Sequence, residues 1–124
     1  MLTNVHQQAY QVFKHKVEIL GGALDQDDRA TLSTAIAELQ PWFQTQLLTL
    51  SIDDLDPVQQ QQVQSYQVEM NKQLRLLAMD SLFLQAARQS ATAGQRQEQI
   101  RDRVSTLIRY CDALLGTDDS SKLP

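Results

Sequence analysis

The sequence predicts an all-α protein, an antiparallel up-down four-helix bundle with one long helix at about residues 57–89. Three observations support this fold class. Apolar residues recur at every third or fourth position along most of the chain, as they do on one face of an α-helix. Only four glycines and three prolines occur in 124 residues, and glutamine, a good helix former, is abundant. The segments between the periodic stretches are short, which favours antiparallel neighbours.

The first helix is expected at about residues 3–22. Its apolar positions are spaced by three and four: Val5, Ala9, Val12, Phe13, Val17 and Leu20. Gly21 and Gly22 predict its end, because glycine readily takes the left-handed conformation that closes a helix. His6 and His15 are nine positions apart and therefore fall on opposite sides of this helix. We interpret both histidines as surface residues that cannot share a metal ion.

The second helix is expected after the acidic cluster at residues 25–28, since carboxylates are favourable at a helix N-terminus. Its apolar positions are Leu32, Ile36, Leu39, Phe43, Leu47 and Leu50. Pro41 lies inside this pattern and lacks a backbone N–H, which predicts a kink or a break near residues 38–40. Trp42 and Phe43 are adjacent and cannot point the same way. One of them therefore lies at the rim of the core or is partly exposed.

The third helix is the long one, and it begins with a helix-capping aspartate, Asp56, followed by Pro57. Unbroken, it would run roughly 48 Å. One apolar stripe comprises Val63, Tyr66, Met70, Leu74, Leu77 and Leu84, and a second comprises Leu76, Met79, Phe83, Ala86 and Ala87. The two stripes lie about 135° apart on a helical wheel. Because a surface helix needs only one apolar stripe, the second one predicts a second set of partners.

The fourth helix follows a turn at residues 90–94, where Thr92 and Gln95 have the spacing of a capping box. It carries a heptad-like seam of Ile100, Val104, Leu107, Cys111 and Leu114. Gly116 is expected to close it. Residues 1–116 are therefore predicted to form one helical domain, and the polar residues 117–124 a disordered tail.

Composition limits the possible partners and the compartment. The net charge of −4 and the pI of about 5.0 argue against general nucleic-acid binding, which needs a basic surface. No signal-peptide pattern occurs at the start, and no segment has the ~18 apolar residues that span a membrane. The single cysteine excludes an internal disulfide bond and is typical of a reducing compartment. The sequence thus predicts a cytoplasmic protein without a membrane span.

Residue patterns for catalysis are largely missing. Cys111 falls on the apolar seam, which favours a buried small hydrophobe over a nucleophile. Gly21 and Gly22 lack the Lys-Ser/Thr that completes a phosphate-binding loop. The carboxylates cluster in loops, where helix capping explains them. We therefore expect no enzyme, no cofactor and no metal.

Charged residues flank the second stripe of the long helix, as they do at the rim of a protein interface. Ordinary solvation of a helix is the alternative interpretation of these charges. The candidate interface, toward a partner or toward a second copy, comprises Lys72, Arg75, Leu76, Met79, Asp80, Phe83, Ala87 and Arg88. Self-association through like helices usually has twofold symmetry, so a homo-oligomer is expected, with a dimer favoured.

Two runs within the long helix, residues 71–80 (NKQLRLLAMD) and 83–89 (FLQAARQ), resemble the PatD family of cyanobacterial heterocyst frequency control proteins. The similarity extends to Asp56-Pro57 and to residues 64–67 and 108–111, whereas the first 45 residues match only in general character. The resemblance implies a cytoplasmic regulator that limits how often vegetative cells become heterocysts. It also implies an association with the cell-division protein FtsZ.

Two functions therefore remain open from the sequence. The first is a regulator that acts by protein–protein contact through the second stripe. The alternative is a helical sensor that binds a small ligand between its helices, with Tyr66, Met70 and Phe83 lining the pocket. A third function, nucleic-acid binding, would require the arginines of the third and fourth helices to share a face, and it is not expected.

Overall fold

The computed structural model describes residues 3–116, which form four α-helices and contain no β-strand. The helices are α1 (Asn4–Asp25), α2 (Arg29–Trp42), α3 (Pro57–Ala86) and α4 (Ser90–Leu115). A π-helical segment, Phe43–Leu47, follows α2 directly. The predicted all-helical fold class is confirmed for these residues. The tail predicted at 117–124 lies outside the described residues.

Each helix has two main neighbours, so that the four form a ring around one core. Helix α1 contacts α2 and α4, and α3 contacts the same two helices. Two ion pairs join α1 to α4: Lys14 to Asp112 at 2.6 Å, and Asp25 to Arg101 at 3.3 Å. In this ring α1 and α3 lie across the core from each other.

An aromatic cluster centred on Phe13 holds α1 against α2 and the π-helical segment. The Phe13 ring is fully buried and stacks on Trp42, with 6.0 Å between ring centroids. It also packs at a tilt against Phe43, with 5.5 Å between ring centroids. Phe43 is buried, whereas Trp42 is half-buried. The two adjacent aromatic residues therefore divide as expected, with Trp42 at the rim of the core.

Helix α1 continues through Gly21 and Gly22, so the end predicted there is wrong. The next two residues, Ala23 and Leu24, are buried in the core. Burial of these side chains outweighs the weak tendency of glycine to end a helix. The left-handed conformation occurs instead at Asp27, which has a φ of 54°.

The break expected near residues 38–40 does not occur, and Pro41 lies within α2. The irregularity follows it, in the wider turn of the π-helical segment. There the Leu48 N–H donates to the Phe43 carbonyl at 3.1 Å, and the Thr45 hydroxyl donates to the Pro41 carbonyl at 2.9 Å. The chain therefore restores its hydrogen bonding after the proline, while Phe43 and Leu47 both remain buried.

The predicted caps of α2 and α3 are confirmed, but the capping box of α4 is wrong. Asp28 accepts from the Thr31 N–H at 3.1 Å, and Asp56 accepts from the Gln59 N–H at 2.8 Å. Helix α4 already begins at Ser90 without a side-chain cap, which places Thr92 and Gln95 inside it.

The predicted end of α4 is confirmed, whereas α3 ends earlier than predicted. Helix α3 ends at Ala86 and not near residue 89, because Ala87 takes an extended conformation and packs partly against the core. Gly116 closes α4 with a φ of 74°, as predicted.

Replacement of Phe13 by alanine is expected to lower the free energy of unfolding by about 3–5 kcal/mol. The substitution leaves a cavity between Trp42 and Phe43, which the surrounding side chains can fill only in part. Urea unfolding followed by circular dichroism measures the change. Val58→Ala, at an exposed position on the first turn of α3, is the control and should stay within about 0.5 kcal/mol of the wild type. Equal losses in the two variants would contradict the central place of Phe13 in the core.

Candidate functional site

The two stripes of α3 have different environments. The inner stripe is buried between α2 and α4 and includes Val63, Met70, Leu74, Leu77 and Leu84. The second stripe is largely exposed: Met79 is 50% and Phe83 46% exposed. The second stripe predicted from the sequence is therefore an apolar surface of α3 that neither α2 nor α4 covers.

We call this surface the outer face of α3 and define it as Val68, Lys72, Arg75, Leu76, Met79, Leu82, Phe83 and Ala86. Two of its members were missed in the sequence. Leu82 is 66% exposed, and Val68 is exposed as well. Both lie within about 60° of Met79 when each residue advances 100° around the helix. A full helical wheel, and not only the second stripe, would have found them.

Asp80 is not part of the outer face, which corrects its assignment to the candidate interface. Its side chain is only 4% exposed and faces α4. Arg103 donates to one carboxylate oxygen from Nε at 2.5 Å, and an Arg96 guanidinium nitrogen lies 3.6 Å from the other. Gln73 accepts a further bond from Arg103 at 3.4 Å. The sequence could not show this burial, because both basic partners are on another helix.

Arg96 connects this buried carboxylate with the outer face. Its guanidinium lies 4.4 Å from the centroid of the Phe83 ring, within the range of a cation–π interaction. Arg96 thereby covers one face of the Phe83 ring, while the side chain stays 46% exposed. Arg96 was not among the predicted interface residues, and only the packing of α3 on α4 brings it to the site.

The outer face is positively charged. Lys72 and Arg75 are exposed, and so is Arg88 just beyond the end of α3. Within residues 3–116, none of the three has a carboxylate within 4.0 Å. The two acidic residues of α3, Glu69 and Asp80, lie about 80° and 100° from Met79 on the helical wheel. Anions are therefore absent from the arc that contains the exposed apolar side chains.

The remaining predicted interface residues are Leu76 and Ala87, and both are half-buried. Leu76 belongs to the outer face and lies at its edge on the α4 side. Ala87 lies beyond the helix and packs partly against the core. The structure thus brings Lys72, Arg75, Leu76, Met79 and Phe83 together on one face and separates Asp80 from them.

The ligand pocket expected at Tyr66, Met70 and Phe83 is not formed by these residues. Met70 is fully buried, Phe83 is exposed, and Tyr66 packs on Tyr110 with 5.5 Å between ring centroids. A groove lies elsewhere, between α1 and α2, with a volume of about 240 Å³. Its lining residues are Lys16, Ile19, Ala35, Glu38, Leu39 and Trp42.

Two side chains considered for chemistry are buried. Cys111 is fully buried, as predicted, and desolvation raises the pKa of its thiol to about 12. The reactive thiolate is therefore scarce at neutral pH. His15 is exposed, but His6 is buried, which corrects its assignment to the surface. His6 lies on the same side of α1 as Tyr10 and Phe13, and its Nδ1 is 2.6 Å from the Thr3 hydroxyl.

Neither a metal cluster nor a membrane-spanning helix is found between residues 3 and 116. Groups of three or more potential metal ligands are missing from this part of the chain. Its helices are too short or too polar to cross a bilayer. No family model, curated protein or solved structure matches the chain. The resemblance to the PatD family thus rests on the residues quoted above.

Replacement of Asp80 by alanine is expected to lower the free energy of unfolding by about 3 kcal/mol, because it leaves the largely buried Arg103 guanidinium without its counter-charge. The double variant Asp80→Leu/Arg103→Leu removes both charges and should recover most of this loss. Asp102→Ala, at an exposed position of α4, is the control. Urea unfolding measures all three, and a double variant no more stable than Asp80→Ala would contradict this role of the pair.

Proposed function

We propose that this chain is a non-enzymatic regulator that acts by protein–protein contact, with the outer face of α3 as its binding surface. The observation that carries the proposal is the exposure of Met79, Leu82 and Phe83 side by side on a helix whose opposite side is fully packed. Exposed apolar patches with a polar rim are typical of interaction sites. Phenylalanine, methionine and arginine are also enriched at interfaces.

The partner that we propose is FtsZ, and the proposed role is the control of heterocyst frequency or cell division in the cytoplasm. This identification comes from the resemblance to the PatD family. The residues that carry the resemblance, 71–80 and 83–89, contain most of the outer face of α3. Similarity and exposed apolar area therefore coincide on one helix.

We further propose that the ring of helices is an antiparallel up-down bundle. The contacts between α1 and α4 support this order: Lys14 pairs with Asp112, whereas the later residue Asp25 pairs with the earlier residue Arg101. The proposed absence of catalysis is supported by the raised pKa of the buried Cys111 thiol.

A sensor for a small ligand is the second candidate function, now at the groove between α1 and α2. The half-buried indole of Trp42 forms one wall of this groove, and Lys16 and Glu38 supply charges of both signs. Its volume of about 240 Å³ is below the roughly 300–1,000 Å³ of usual ligand pockets, and the larger grooves, of about 430–530 Å³, are more open to solvent. The contact regulator is therefore the better-supported proposal.

We propose that α1, and not α3, is the surface for self-association. Val5, Val12 and Ile19 are exposed on the outer side of α1 at intervals of seven residues, so that they form one apolar line along the helix. The arc between Val5 and Ile19 contains no charged residue of α1, and Lys16, about 20° outside it, holds its ammonium group over the Trp42 ring. A weakly charged surface suits a second copy, whereas two outer faces of α3 would repel each other. We propose a homodimer through this stripe of α1.

Phe83→Asp is expected to weaken binding to purified FtsZ by at least about tenfold, since it places a charge in the centre of the proposed contact. Fluorescence anisotropy with labelled chain measures the Kd. The matched control is Val58→Asp, which changes an equally apolar exposed side chain on the first turn of the same helix. Circular dichroism checks that both variants keep their helices. Equal Kd values for the wild type and Phe83→Asp would refute the proposed surface.

Val12→Asp is expected to convert the homodimer into a monomer, because the carboxylate would be desolvated between two copies of α1. Sedimentation velocity at matched concentrations measures the change. Phe83→Asp is the control and should leave the dimer intact. A dimer that survives Val12→Asp but dissociates in Phe83→Asp would assign self-association to α3 instead.

A further inference from the structure

We infer that the outer face of α3 binds an acidic amphipathic helix of a partner protein. This inference rests on the proposed function, since it names the chemistry of the segment that this face would bind. It follows from the arrangement of charge along the face, from the loose pairing of Arg96 and from the size of the exposed patch.

Positive charges lie on both sides of Met79, Leu82 and Phe83 along the helix axis. Lys72 and Arg75 precede Met79, Arg96 lies over the Phe83 ring, and Arg88 follows the end of α3. A bound helix with an apolar stripe and carboxylates along its edges could pair with both groups of cations at once. Such charge complementarity steers association and selects one partner over others.

Arg96 has hydrogen-bonding capacity to spare for a partner's carboxylate. Asp80 is held tightly by Arg103, whereas Arg96 lies 3.6 Å from it, too far for a direct hydrogen bond. A guanidinium has five N–H donors, and the Arg96 side chain is 38% exposed beside the Phe83 ring. A carboxylate next to Phe83 could therefore bind Arg96 without disrupting the buried pair.

The size of the patch fits a single segment better than a globular partner. From Val68 to Ala86 the face is roughly 27 Å long, and at a helix width of about 10 Å it offers on the order of 270 Å². A stable interface between two folded proteins buries about 800 Å² on each side. The row of Met79, Leu82, Phe83 and Ala86 has the spacing of three and four with which a helix meets an apolar helix partner.

An anionic membrane surface is less compatible with this face. Membrane-surface helices keep their cations at the polar edge and bury an uninterrupted apolar side. Here Lys72 and Arg75 lie only about 20° and 40° from Met79, along the middle of the face. Insertion of the apolar side chains would carry both charges toward the lipid. Because these cations lie within the angular range of the apolar side chains, they favour a protein partner with carboxylates.

The test uses a fluorescein-labelled 18-residue helical peptide with a leucine stripe flanked by glutamates. Fluorescence anisotropy measures its Kd at low and high salt. A peptide with every glutamate replaced by lysine and vesicles containing phosphatidylserine are the competing probes. The test variant is Lys72→Glu/Arg75→Glu. Its control, Arg29→Glu/Arg109→Glu, changes the net charge equally at exposed positions outside the face.

We expect the glutamate peptide to bind the wild-type chain and the control variant, and to bind the test variant about tenfold more weakly. The lysine peptide should show the reverse preference. Binding of both peptides with equal Kd, equal weakening in the control variant, or binding of the vesicles without the glutamate peptide would overturn the inference.

The result can be separated from the FtsZ proposal. If the chain binds FtsZ with a dependence on Phe83 but does not bind the glutamate peptide, the inference fails and the binding surface stands. If the charge-dependent peptide binding is found and FtsZ does not bind, the inference stands and the identity of the partner is wrong.

Discussion

The packing of the inner stripe of α3 between α2 and α4 is the constraint on which the rest of the structure depends. Leu74 and Leu77 are almost completely buried, which fixes the rotation of the helix about its own axis. The pair of Asp80 with Arg103 adds a directional contact with α4 at the same level. With rotation fixed in this way, the opposite side of the helix must face outward together with its apolar and basic residues. The candidate binding surface is therefore a by-product of how the core is filled.

Much of the fold could be predicted from the sequence, because periodicity and capping act within one helix. The caps Asp28 and Asp56 and the closing residue Gly116 needed only their neighbours along the chain. The wrong predictions occur where contacts with residues far away in the sequence determine the local structure. Burial of Ala23 and Leu24 carries α1 past its glycines, although the local preference is to stop. At this point the glycines favour the end of the helix, but burial of the next two side chains stabilises its continuation.

Only part of the candidate site could be predicted from the sequence. Periodicity located Met79 and Phe83 on an uncovered side, since the spacing alone separates the two stripes. Asp80 and Arg96 depend on the side chains of two helices, and a linear sequence does not show which residues meet. His6 was assigned to the surface because of its polarity, yet its position relative to Tyr10 and Phe13 already indicated the core. For His6, position on the helical wheel was more informative than residue type.

The placement of α1 and α3 on opposite sides of the ring has a consequence for assembly. A dimer joined through α1 would present its two α3 helices on its far sides, both open to solvent. Such a particle would be bivalent and could bridge two partner molecules. On a polymeric partner the second attachment becomes intramolecular, so avidity can exceed the affinity of one face by about 10²–10⁴. A weak contact of a single helix would then suffice to crosslink or bundle filaments.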